Sequence, residues 1–167
     1  MMKRLAIAIT LFVSTASAET AIDEFAVNGP PAEDYQLAAQ LFAETDENQK
    51  YVATCLFYRG QYRARVHLRA RPDLPQSGDP ALYSSLNSSL GGTINRWAAG
   101  NVKKWADAME CALNWAKEND DPFTPKAEFS DVHQSMQQGF ETFIDSIRGQ
   151  ADDIKKNREA NGLENRP

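Results

Sequence analysis

Little in this chain is suited to metal or thiol chemistry. It holds two cysteines and two histidines in 167 residues. There is no Cys-x-x-Cys, and His67 and His133 stand far apart, with no carboxylates at metal-ligand spacing beside them. Thr45-Asp46-Glu47-Asn48 lacks the glycine turn and the distal glutamate of a calcium loop. The serine pairs Ser84-Ser85 and Ser88-Ser89 lie outside any Gly-x-Ser-x-Gly elbow. Gly91-Gly92-Thr93 has neither the preceding strand nor the adjacent lysine of a phosphate loop. Strand-like alternation is missing, which argues against a sheet protein. Past the first eighteen residues no segment is apolar enough to span a bilayer, which takes ~20 residues. No catalytic, cofactor or metal residue can be assigned, and the expectation is a non-enzymatic protein with no cofactor and no stable membrane insertion.

What is present begins at the first residues. Lys3 and Arg4 form a positive start, Leu5 to Val13 an apolar run, and Ala16-Ser17-Ala18 a small-x-small cleavage site. The apolar run is about half the length of a membrane span, and no cysteine follows the cut to carry a lipid. Cleavage after Ala18 and export are expected. With Lys3 and Arg4 removed, 16 basic side chains face 23 acidic ones, a net charge of −7. That balance argues against nucleic acid and suits either a basic partner or simple solubility.

Export also bears on the cysteines. Cys55 and Cys111 are the one possible pair and are expected to form a disulfide in an oxidising compartment; two buried free thiols are the alternative.

Between breakers, apolar residues recur at helical spacing. Residues 1–18 read as a signal peptide, 19–31 as a flexible lead-in ending in Gly29-Pro30-Pro31, 32–158 as a helical domain and 159–167 as a polar tail. Ala32 to Thr45 and Gln49 to Ala70 make a helical hairpin. Gly60, inside its second helix, implies a close helix contact or a bend. Asp79-Pro80 opens a helix that Gly91-Gly92 is expected to stop, with a short segment from Thr93 to Ala99. Asn101 can cap a helix reaching Glu118, and Ser130 can cap a last one carrying Val132, Met136, Phe140, Phe143, Ile147, Ala151 and Ile154. The expected fold is a single all-α domain of five or six helices, a bundle or stacked hairpins, with one disulfide.

Two features could bind something. Arg59, Arg63, His67 and Arg71 recur every fourth residue, and with Arg65 and Arg69 they put five arginines in thirteen residues of an acidic protein. Guanidinium groups grip carboxylates and phosphates in paired geometry, so the stripe could line an anion-binding groove. Alternatively it could pair internally with Glu141, Asp145, Asp152 or Asp153 of the last helix. Trp97 stands between two breakers, where an exposed ring would suit a protein interface; Trp105 and Trp115 read as core.

At Tyr58-Arg59-Gly60-Gln61, Arg63, Arg65, the segment from Asp121 to Ala127 and the segment from Asn161 to Arg166, the chain resembles a family of uncharacterised exported bacterial all-helical proteins. The resemblance spans about residues 35 to 166. It implies a Gram-negative envelope setting, hence the periplasm, and supplies no catalytic residues. In size, export and acidity the chain is also similar to periplasmic immunity proteins, which neutralise toxins from neighbouring cells. The expected role is binding another protein, as an immunity or inhibitor protein against a secreted toxin or hydrolase. The alternative is binding a small anion or cell-wall fragment through the arginine stripe.

Overall fold

The breakers read from the sequence separate helices in the structure, a computed structural model that describes Ile22 and residues 25–167. The expected signal peptide lies outside the described residues. The helices are α1 (Ala32–Phe42), α2 (Glu47–Ala70), α3 (Asp79–Ala98), α4 (Val102–Glu118), α5 (Lys126–Gly149) and α6 (Ala151–Ala160), with no strand among the described residues. The all-α expectation holds, and so does the disulfide: Cys55 on α2 is bonded to Cys111 on α4. Closing a loop of 56 residues removes about 4 kcal/mol of chain entropy from the unfolded state.

The second helix is the axis of the molecule. Asp46 holds an extended backbone and accepts from the Gln49 N–H at 2.9 Å, so the helix starts two residues earlier than its apolar pattern suggests. Every residue from Tyr51 to Ala64 is buried, and the helix touches α1, α3, α4 and α5. Burial on all faces follows from this position. Gly60 permits it: a Cβ there would lie 3.1 Å from both the Asp34 Cβ and the Tyr35 ring of α1. Tyr58 then links three helices. Its hydroxyl donates to Asn95 of α3 at 2.8 Å and accepts from the Trp105 indole of α4 at 2.9 Å. Trp105 is therefore half-buried, with its ring nitrogen turned inward.

Other boundaries also depart from expectation. Gly91-Gly92 does not stop α3, which runs on to Ala98. A Cβ on Gly91 would sit 3.3 Å from Phe57, so this glycine serves helix packing. Asp79 is not a cap either; it is the first residue of α3, and its carboxylate faces His67. The last periodic stretch is two helices. Phe129 departs from helical angles (φ −129°, ψ 38°), Ser130 contacts Asp131 instead of capping, and Gln150 separates α5 from α6. Asn101 does cap α4, accepting from the Lys104 N–H.

The segments flanking the helices are tied to them. Ile22 is buried in the core, and Phe25 and Val27 pack against it, so these residues of the lead-in are anchored. After α6 the chain reverses: the N–H of Leu163 bonds to the Arg158 carbonyl, that of Gly162 to the Glu159 carbonyl, and Gly162 has φ +67°. This is the Schellman arrangement, in which glycine tolerates the left-handed position. It sends residues 163–167 back across the end of the bundle.

Candidate functional site

The arginine stripe runs into the centre of the protein. Arg59 is 0% exposed and Arg63 1%. The Arg59 Nε and one terminal nitrogen donate to Asp34 Oδ1 at 3.1 and 2.7 Å, and the other terminal nitrogen donates to the carbonyls of Ile22 and Phe25. Its guanidinium carbon sits 5.0 Å from the Trp115 ring centre. Arg63 clamps Asp121 with two parallel bonds at 3.0 and 3.1 Å, reaches Asp34 Oδ2 at 2.9 Å and donates to the Gly29 carbonyl. Asp34 and Asp121 are each 2% exposed. Two cations and two carboxylates thus form a closed, neutral, desolvated cluster, with Asp34 bridging both arginines. Burial alone would lower the Arg63 pKa, but the hydrogen bonds and charges of Asp121 and Asp34 hold it above its usual value. Internal pairing is what the structure displays, but through partners on α1 and the loop before α5, not through the expected Glu141, Asp145, Asp152 and Asp153. The lead-in is held at the same place, because three of its carbonyls accept from the two arginines.

His67 and Arg71 continue the stripe toward the surface. His67 Nδ1 lies 2.9 Å from an Arg71 nitrogen, and Nε2 lies 2.7 Å from Asp79 Oδ2. Arginine can only donate, so Nδ1 accepts and Nε2 carries the proton given to Asp79. The ring lies against Phe123 at 4.7 Å. Arg71 also donates to Thr124 Oγ1 and the Phe123 carbonyl. His133 is similarly engaged: Nε2 donates to the Thr124 carbonyl at 2.8 Å, and Nδ1 meets the Tyr62 hydroxyl at 3.1 Å. These groups hold the loop of residues 119–125 against α2. Among the described residues no group of three or more His, Cys, Asp or Glu is placed to hold a metal ion. Of the remaining arginines in the run, Arg65 and Arg69 are exposed, and no carboxylate lies within ion-pair distance of either among the described residues.

Trp97 lies elsewhere, half-buried in the last turn of α3. It meets Phe42 of α1 edge-on at 5.5 Å and Tyr51 of α2 at 4.7 Å. On this aromatic cluster rests Arg166, its guanidinium carbon 3.8 Å from the Trp97 ring centre and 5.9 Å from that of Tyr51. One terminal nitrogen pairs with Glu47 at 3.2 Å and the other donates to the Trp97 carbonyl. The Arg166 N–H donates to the Gly100 carbonyl, and Asn101 donates to the Pro167 carbonyl. Lys50 lies over the Phe42 and Trp97 rings and Lys104 over that of Tyr51. A cation on a partly desolvated tryptophan is worth about 0.5–2 kcal/mol. The Tyr51 hydroxyl, within this cluster, is buried with no hydrogen-bond partner among the described residues, and burial raises its pKa.

Sequence reasoning reached Trp97 but missed Arg166, Glu47 and Tyr51, which complete its surroundings. The Gly162-Leu163 pair after a polar helix end was the available signal, since a glycine followed by an apolar residue marks a chain reversal. Comparison with known proteins found no matching family model, no matching curated protein and no matching solved structure.

Proposed function

We propose that this is a periplasmic, non-enzymatic protein that acts by binding another protein, with neutralisation of a secreted toxin or hydrolase as its concrete form. The observation that carries this reading is the Trp97 cluster. A half-buried tryptophan at one end of the bundle, backed by Phe42 and Tyr51, holds Arg166 of the same chain through ring stacking and the carbonyls of Trp97 and Gly100. Aromatic anchors set in a rigid frame are what dominate protein interfaces. The disulfide between α2 and α4 supplies such a frame and suits an exported protein. The acidic balance of the chain favours a basic partner, and the resemblance to exported all-helical proteins fits the setting. The anion-binding alternative loses support at Arg59 and Arg63, whose donors are already engaged by Asp34, Asp121 and backbone carbonyls.

The test is to immobilise the oxidised protein, incubate it with envelope and secreted fractions, and elute across a salt series. A retained hydrolase or toxin whose activity falls stoichiometrically on adding this protein supports the reading. Recovery of no protein at any salt concentration overturns it.

A further inference from the structure

The residues around Trp97 are already arranged as a ligand site, because a segment of the chain occupies it as a ligand would. Arg166 supplies a planar cation to the Trp97 face at 3.8 Å, a guanidinium fork to Glu47 and the Trp97 carbonyl, and a backbone N–H to the Gly100 carbonyl. Asn101 reads the next carbonyl along. Together these contacts hold Arg166 by its side chain and its backbone, and Pro167 by its carbonyl. Lysine cannot reproduce the stack and fork.

The occupant is held by polar and ring contacts, not by burial of apolar side chains. Leu163 is 37% exposed, and neither it nor Pro167 is among the apolar side chains of the core or those packed against it. Arg158, Asn165 and Arg166 hold the segment through polar contacts. Arg158 stands close enough to Arg166 that burial and this like charge lower its pKa. Segments with few buried apolar contacts open at little free-energy cost. Arg166 and Pro167 also wall a groove of about 560 Å³ lined by Val102, Asp107, Arg148 and Ala151, so a longer segment could continue beyond the cradle. The Tyr51 hydroxyl, with no partner among the described residues, is one polar group that residues 161–167 do not satisfy.

We propose that the Trp97 cradle recognises an extended, arginine-bearing segment of a partner protein, and that Arg166 occupies it in cis as a competing pseudoligand. This rests on the protein-binding reading and specifies its partner chemistry. A partner's arginine would displace Arg166 and seat its own guanidinium between Trp97 and Glu47, while its flanking residues extend toward α4 and α6. Occupancy in cis then sets a threshold: segments that carry only a stray arginine do not compete, and those that also fill the groove do.

The experiment uses the full mature chain and three capped synthetic peptides: Asn-Gly-Leu-Glu-Asn-Arg-Pro, which copies residues 161–167, and versions with arginine replaced by lysine or alanine. Binding is followed by the Trp97 indole N–H resonance, assigned through Trp97→Phe. Arg166→Ala should bind the arginine peptide at least tenfold more tightly than the wild type, with the lysine peptide weaker and the alanine peptide inactive. If Arg166→Ala does not fold, Arg166→Lys carries the same comparison. In the released background, Glu47→Gln should weaken binding severalfold. The proposal is overturned if the released variant binds the arginine peptide no better than the wild type, or if the alanine peptide binds equally well. Peptide binding without any captured partner would sink the wider function and leave the cradle standing; a captured partner that binds Trp97→Phe and Glu47→Gln with unchanged affinity would do the reverse.

Discussion

At the scale of the residue, the protein is organised by charges placed where charges are expensive. Arg59, Arg63, Asp34 and Asp121 are together removed from water, a state tolerable because each cation meets carboxylates at 2.7–3.1 Å and lead-in carbonyls take further donors. The stripe was visible in the sequence as a period of four; its partners were not. Asp34 looks like an acid placed to suit the start of α1, and Asp121 like a loop residue before a proline. Only the fold brings them to one point from positions far apart in the chain. Removing one charge leaves another buried and uncompensated. Asp121→Asn should therefore cost about 3–5 kcal/mol, seen as a lower urea midpoint at unchanged slope. A loss within about 0.5 kcal/mol would mean that water enters the cluster.

At the scale of the element, the glycines separate local preference from packing. The helix stop read at Gly91-Gly92 failed because Gly91 lies against Phe57 and its neighbour in sequence faces open space. Propensity scores both as breakers, yet tertiary contact overrides the score. The same logic gives opposite signs for one substitution. Gly60→Ala should destabilise by about 1–3 kcal/mol, since its methyl would press on Tyr35 and Asp34 at 3.1 Å. Gly92→Ala meets nothing within 4 Å and should stabilise α3 by up to about 1 kcal/mol. Thermal melts of the two variants check this, and equal shifts would contradict it. Helix capping followed a comparable split. Asn101 was legible as a cap, whereas Asp79 was drawn away by His67.

At the scale of the whole molecule, buried tyrosines join the helices into one unit and set its tolerance of alkali. Burial pushes Tyr58, Tyr62 and Tyr83 up to about 12, whereas an unfolded chain titrates at about 10. Below pH 10 both states keep their protons and the contribution is complete. As pH rises from 10 to 12 the unfolded state loses protons first, so stability falls across that window. Urea midpoints measured with tyrosinate absorbance should drop there together, and full tyrosine ionisation near pH 10 with the fold intact would refute the assignment. The sequence by itself determined the helical class, the breakers between most helices and the one possible disulfide, because period, proline and cysteine count act locally or by elimination. The tertiary structure alone decided which acids meet Arg59 and Arg63, that Gly60 marks a close contact and not a bend, that Gly91 packs on Phe57, and that Arg166 rests on Trp97. Those outcomes depend on distances between residues far apart in the chain, and no local pattern encodes them.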